Sequence, residues 1–184
     1  MRRMRKGSSL LRRKSRGVTD VPLELVIIMV ILAIVIPIIL AAFTSYTKEQ
    51  ESMALSQQAA NIGDTAVQVY DSGINTTLLI TASIPNNGYM TVGGALYVAG
   101  APNPAASFIN YSLPSTAPPV TYAVNNGAGS VNITNVTDVN GQLVYRSLPL
   151  TGGQSYQLAL TKEGPGAYVF GIPVSSTFVW AEVV

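Results

Sequence analysis

The chain has 184 residues, room for one domain of ordinary size and a long helix. It has no cysteine, which excludes a disulfide framework and thiolate chemistry, and no histidine, which removes the usual general base near neutral pH and the commonest metal ligand. Charged residues make up only 11% against 48% hydrophobic, a balance that suits an extracellular or packed protein better than a cytosolic enzyme.

The net charge of +2 conceals a strong asymmetry. Arg2, Arg3, Arg5, Lys6, Arg12, Arg13, Lys14 and Arg16 form a basic tail that contains no acid. The rest carries only Lys48, Arg146 and Lys162 against nine acids, a balance of −6. Basic tails bind nucleic acid in other settings. Here an apolar segment follows almost at once, and positive charge flanking a spanning helix stays on the cytoplasmic side, so a topogenic role is expected and nucleic acid is not.

From Leu25 to Phe43 no residue is charged, and Ile, Val and Leu dominate. At about 1.5 Å per residue this run covers roughly 28 Å, close to the hydrocarbon thickness of a bilayer. Its apolar residues surround the helix axis, unlike those of an amphipathic surface helix. A conventional signal peptide would have a shorter core and a small-x-small site, which Leu40-Ala41-Ala42 fits poorly. Glu24 stands at the apolar boundary, where a carboxylate needs a partner, and Pro37 removes one backbone hydrogen bond in mid-helix.

Beyond Phe43, Leu55, Ala59, Ile62, Ala66 and Val69 recur at alternating spacings of four and three. That seam predicts a helix packed on another helix or on a domain. Gln57, Gln58, Asn61, Asp64 and Gln68 form its polar outer face, and Asp71-Ser72-Gly73 supplies the stop. One helix is therefore expected from about Val21 to Tyr70, roughly 75 Å long.

Lys14-Ser15-Arg16-Gly17 followed by Val18 resembles the processing site of class III signal peptides. The order of basic leader, apolar helix, amphipathic continuation and β-rich head resembles archaeal type IV pilins and archaellins. The resemblance implies cleavage after Gly17 by a membrane prepilin peptidase, with Arg12, Arg13, Lys14 and Arg16 supplying leader charge and Val18 becoming the N-terminus. Bacterial type IV pilins carry an acid at the fifth mature position, whereas Pro22 is fifth here and Glu24 seventh. Glu24 is the candidate for the family role of pairing with a neighbouring subunit's amine. Leu25, Pro37 and Phe43 join it as the assembly segment.

After Gly73, clusters of Gly, Pro, Asn and Ser separate short runs rich in Val, Ile, Thr, Tyr and Leu. Strands are expected over 76–84, 89–98, 107–113, 120–124, 130–139, 143–148, 155–161, 168–172 and 177–184. Tyr156, Leu158 and Leu160 alternate as one buried face, and Asn140-Gly141 is a hairpin signal. The expected fold is α+β, a long hydrophobic helix followed by an all-β, Ig-like sandwich head. The expected divisions are a cleaved leader over 1–17, a long helix over 18–72 and the head over 73–184.

Four N-glycosylation sequons begin at Asn75, Asn110, Asn132 and Asn135. Asp138, Glu163 and Glu182 are scattered without metal spacing, and Gly127-Ala128-Gly129 reads as a turn rather than a phosphate loop. Trp180 and the head's tyrosines are expected in the core and at subunit contacts rather than on a sugar platform. No catalytic residue, metal or cofactor is expected, and no enzyme.

The expected function is that of a filament subunit for adhesion. Before assembly it would be held in the cell membrane; afterwards it would lie in an extracellular filament of its own copies. The family implies a prepilin peptidase, an assembly ATPase and a membrane platform protein as partners. An archaellin and a membrane-anchored binding protein that never polymerises are the alternatives.

Overall fold

The structure, a computed structural model, describes residues 22–98, 101–114 and 117–184. A single helix, α1, spans Leu23–Asp71 and is followed by a mostly β domain, an α+β chain. The backbone divides into two compact units, 1–44 and 45–184, so α1 runs through both.

The described part of the first unit is helix. The carbonyl of Pro22 accepts the first helical bonds, from the N–H groups of Leu25 at 2.8 Å and Val26 at 3.4 Å. Proline is suited to this entrance because the first turn has no intrahelical use for its missing N–H.

In the second unit the four-and-three seam is buried: Leu55, Ala59, Ile62, Ala66 and Val69 are fully enclosed. Gln57, Asn61, Asp64 and Gln68 are exposed, as a two-sided helix requires, whereas Gln58, expected on the same face, is half-buried with its Oε1 enclosed. Gly63 lies in the same stripe, where a Cβ would stand 2.5 Å from the Tyr122 ring and 3.4 Å from Val124. The absent side chain lets α1 approach the sheet there.

The strands, in order, are β1 (Thr77–Ile84), β2 (Tyr89–Val92), β3 (Tyr97–Val98), β4 (Ala101–Pro102), β5 (Phe108–Ser112), β6 (Val120–Ala123) and β7 (Ile133–Val139). They continue as β8 (Gln142–Arg146), β9 (Leu148–Thr151), β10 (Gln154–Glu163), β11 (Tyr168–Val169), β12 (Ile172–Pro173) and β13 (Phe178–Val183). One sheet has the order β1-β10-β13-β7-β8, the other β6-β5-β2-β9. The β13–β7 pairing is parallel and the remaining pairings are antiparallel. Two short pairs, β3–β4 and β11–β12, complete the set among the described residues.

The structure refines the expected strands. The run over 89–98 breaks because Gly93 turns to φ +63, against the Ile133 carbonyl, where a Cβ has no room. The run over 168–172 is two strands, with Phe170 and Gly171 at φ 51 and 78 forming the tip between them. Asn140 and Gly141, at φ 55 and 79, close the β7–β8 hairpin as expected. The 107–113 run begins as a 3-10 turn over Pro104–Ser107, with Asn103 Oδ1 accepting from the Ala105 N–H.

One core joins α1 to both larger sheets: the helical seam meets Ala82, Met90, Ile109, Ile133, Leu150, Leu158 and Val179. A second, smaller cluster collects Leu96, Ala106, Val136, Val169, Val174 and Phe178. Alternation along β13 divides its residues between the two. Val179 and Ala181 enter the first cluster; Phe178 and the half-buried Trp180 enter the second. On β10, Leu158 and Leu160 are buried as expected, and Ala159 between them is buried too. The head read from 73 onward thus shares its main core with helix residues that precede it.

Candidate functional site

The residues expected to carry function fall into three groups, of which the leader group (Arg12, Arg13, Lys14, Arg16, Gly17 and Val18) lies outside the described residues.

The segment expected to drive assembly lies in the helix of the first unit. Every large apolar side chain from Leu25 to Phe43 is exposed, between 38% and 63%. At about 25 cal/mol per Å² of apolar surface, such a stretch is strongly unfavourable in water and calls for lipid or other helices around it. It is long and apolar enough to cross a membrane, a property that membrane anchors and signal sequences share. Glu24 occupies the first turn, where the partial positive charge of the helix N-terminus favours a carboxylate. Pro37 lies within the helix and cannot donate to the Ala33 carbonyl. In water such a proline costs about 3 kcal/mol; in apolar surroundings neighbouring groups absorb the loss.

The sequons differ sharply in their surroundings. Asn75 is exposed, in a turn at φ 66, and its N–H donates to the Lys162 carbonyl at 2.8 Å. Asn110 is half-buried on β5, its Oδ1 accepts from the Thr121 hydroxyl at 2.8 Å, and its sequon partner Ser112 is buried. Asn132 is half-buried, with a fully buried partner, Thr134, whose hydroxyl lies 3.2 Å from the Arg146 carbonyl. Asn135 donates its side-chain amide to the Ala181 carbonyl at 2.8 Å, across the parallel pairing.

No group of three candidate metal ligands gathers among the described residues. Glu163 is nonetheless unusual. It is only 5% exposed, its Oε2 has no hydrogen-bond partner, and burial raises its carboxyl above the ordinary range. Nothing in the sequence marked it, since its burial depends on strands that meet only in the fold. The tyrosines surround the core rather than fill it: Tyr111, Tyr122, Tyr145 and Tyr156 are half-buried, and Tyr97 and Tyr168 are exposed. Trp180 meets the Phe170 ring edge-on at 5.5 Å.

Comparison with protein-family models, with characterised proteins and with solved structures returns no match for this chain.

Proposed function

We propose that the chain is the precursor of a structural subunit of an archaeal type IV pilus-like extracellular filament, used for adhesion. The observation that carries this reading is the division of α1. One stretch exposes apolar residues on every side, while the continuation buries a narrow seam in a folded head. A lone anchor needs only the first property. A subunit that carries a head on a shared helical core needs both.

In this reading the basic leader holds the N-terminus in the cytoplasm until cleavage after Gly17. The cut removes eight positive charges that would repel one another where helices crowd together. Apolar helices then exchange lipid for one another, and close packing decides the balance. Contacts of the head-to-tail kind that do not close a ring generate a helical filament. Glu24 pairs with the new amine of a neighbouring copy, and the partners are the peptidase, ATPase and platform protein that the resemblance implies. The head is read as an Ig-like sandwich. Both larger sheets giving residues to one core supports that, while the parallel β13–β7 pairing departs from an all-antiparallel form. No catalytic role is proposed.

The test is electron microscopy of surface filaments with mass spectrometry of their subunit, for the wild type and Gly17→Leu. Filaments of a subunit beginning at Val18, and loss of both filaments and shortening in the variant, are expected. A variant that still matures and polymerises removes the cleavage site. A wild-type protein recovered as a monomer with its arginines, or without the apolar helix, removes the function.

A further inference from the structure

Four strands form the outer edges of the two larger sheets: β1 and β8 in one, β6 and β9 in the other. An edge strand presents unpaired backbone groups, a template for pairing with another chain unless charge, proline, shortness or a cover intervenes. Three of these edges carry such a device. β9 has four residues and contains Pro149; β6 has four and follows Pro118-Pro119; β8 carries Arg146. β1 has none of them. It is eight residues long, reads Thr-Leu-Leu-Ile-Thr-Ala-Ser-Ile, and holds neither charge nor proline. No strand among the described residues pairs with it on the side away from β10. Leu79 stands 59% exposed on its outer face. A long, uncharged segment of high β-propensity with a bare edge is an association hazard.

The one sequon whose asparagine is exposed lies at the head of this strand, its Thr77 hydroxyl 2.8 Å from the Thr161 hydroxyl. Asn75-Thr76-Thr77 leads directly into β1. The turn is held by the Asn75 N–H to Lys162 carbonyl bond at 2.8 Å and the Lys162 N–H to Thr76 carbonyl bond at 3.0 Å, both made by backbone. The Asn75 side chain is therefore left outside, with no hydrogen bond to the described residues. The other three acceptor asparagines are half-buried, and the side chains of Asn110 and Asn135 are hydrogen-bonded into the fold. Leu79 is four residues on, about 13 Å of extended chain, within the reach of a short oligosaccharide.

We propose that Asn75 carries an N-linked glycan and that this glycan covers the bare edge of β1. The donor is an oligosaccharide linked to a lipid phosphate or pyrophosphate. Asn75 Nδ2 bonds to C1 of the first sugar, the bond from C1 to the phosphate oxygen breaks, the amide loses one proton, and the lipid phosphate leaves. The sugar brings bulk and hydration to a strand that has no charge to hold water. The inference rests on the export contained in the proposed function but not on polymerisation.

The test uses the full chain produced in its own host and purified in detergent, as wild type, Thr77→Ala, Thr77→Ser and Thr77→Ala with Leu79→Lys. Thr77→Ala removes the sequon and the hydroxyl contact to Thr161 while keeping Asn75 and its turn; Thr77→Ser keeps the sequon and a hydroxyl at that position. Mass spectrometry is expected to find the Asn75 peptide heavier by a glycan in the wild type and Thr77→Ser, and unmodified in both Thr77→Ala proteins. In size-exclusion chromatography Thr77→Ala is expected to shift to higher oligomers, and Leu79→Lys to reverse the shift by charging the edge. The proposal is overturned by an unmodified Asn75 in the exported wild type, by a glycan-free variant as dispersed as the wild type, or by association that Leu79→Lys leaves in place. An unmodified Asn75 on a mature, filament-borne subunit removes this inference alone, whereas a chain never exported fails both.

Discussion

Lys162 closes the end of α1 from outside the helix. The last turn of α1 has no basic residue of its own, yet Lys162 on β10 brings its Nζ to 2.6 Å from the Ser72 carbonyl and 5.3 Å from the centre of the Tyr70 ring. A cation is favoured at a helix C-terminus, where carbonyls lack partners. Lys162→Met keeps the stem and removes the charge, so urea unfolding of the detergent-solubilised chain is expected to show a loss of about 1–3 kcal/mol. Glu163, the next residue, works in the opposite sense. Burial raises its carboxyl, so the folded state disfavours the charged form. Its protonated form is tolerated below the carboxyl's unfolded value, and stability is lost as pH rises through the raised folded value. Glu163→Gln is therefore expected to match the wild type well below the ordinary carboxylate range and to unfold at higher urea at neutral pH. A gap that stays the same at both pH values would place the effect elsewhere.

At the scale of the element, α1 is one helix under two regimes. Ile31 and Ile62 are the same residue type in the same secondary structure, but Ile31 is 53% exposed and Ile62 is fully buried. Ile62→Ala is expected to lower the head's stability by about 2–5 kcal/mol, through lost burial and the cavity left behind. Ile31→Ala is expected to leave head unfolding unchanged and, under the proposed function, to reduce the yield of filaments. Urea melts and filament yields from the same pair of variants check both statements. The seam could be read from spacing because a helix buries residues at fixed intervals, whatever it meets. Its burial partners could not be read, because they lie on strands far along the chain. Asn140-Gly141 was legible for a similar local reason: few residue pairs adopt two successive positive φ values. Phe170 was illegible, since a bulky residue at φ 51 goes against local preference and is held only by its surroundings, among them the edge of Trp180.

For the whole molecule, the consequential boundary lies within the helix. The β-rich composition begins after Gly73, but the second compact unit begins at Ser45. Leu55, Ile62 and Val69 alone contribute about 1.5–3 kcal/mol each by burial, a sum comparable to the 5–15 kcal/mol that a domain typically has. A fragment of residues 45–184 is expected to unfold cooperatively in urea. A fragment of 73–184 is expected to lack a cooperative transition and to bind a hydrophobic dye. Two fragments of equal stability would show that the helix is dispensable to the core.

Sequence by itself determined the elements whose signal is local: the uninterrupted apolar run, the four-and-three seam, most strand positions and the Asn-Gly hairpin. Each follows from the geometry of a few neighbouring residues. Only the tertiary structure decided that β13 pairs in parallel with β7, that Ala159 is buried between Leu158 and Leu160 on β10, and that one sequon asparagine of four is exposed. Those outcomes depend on which distant segments share a sheet, and burial on a sheet is a property of both its faces together.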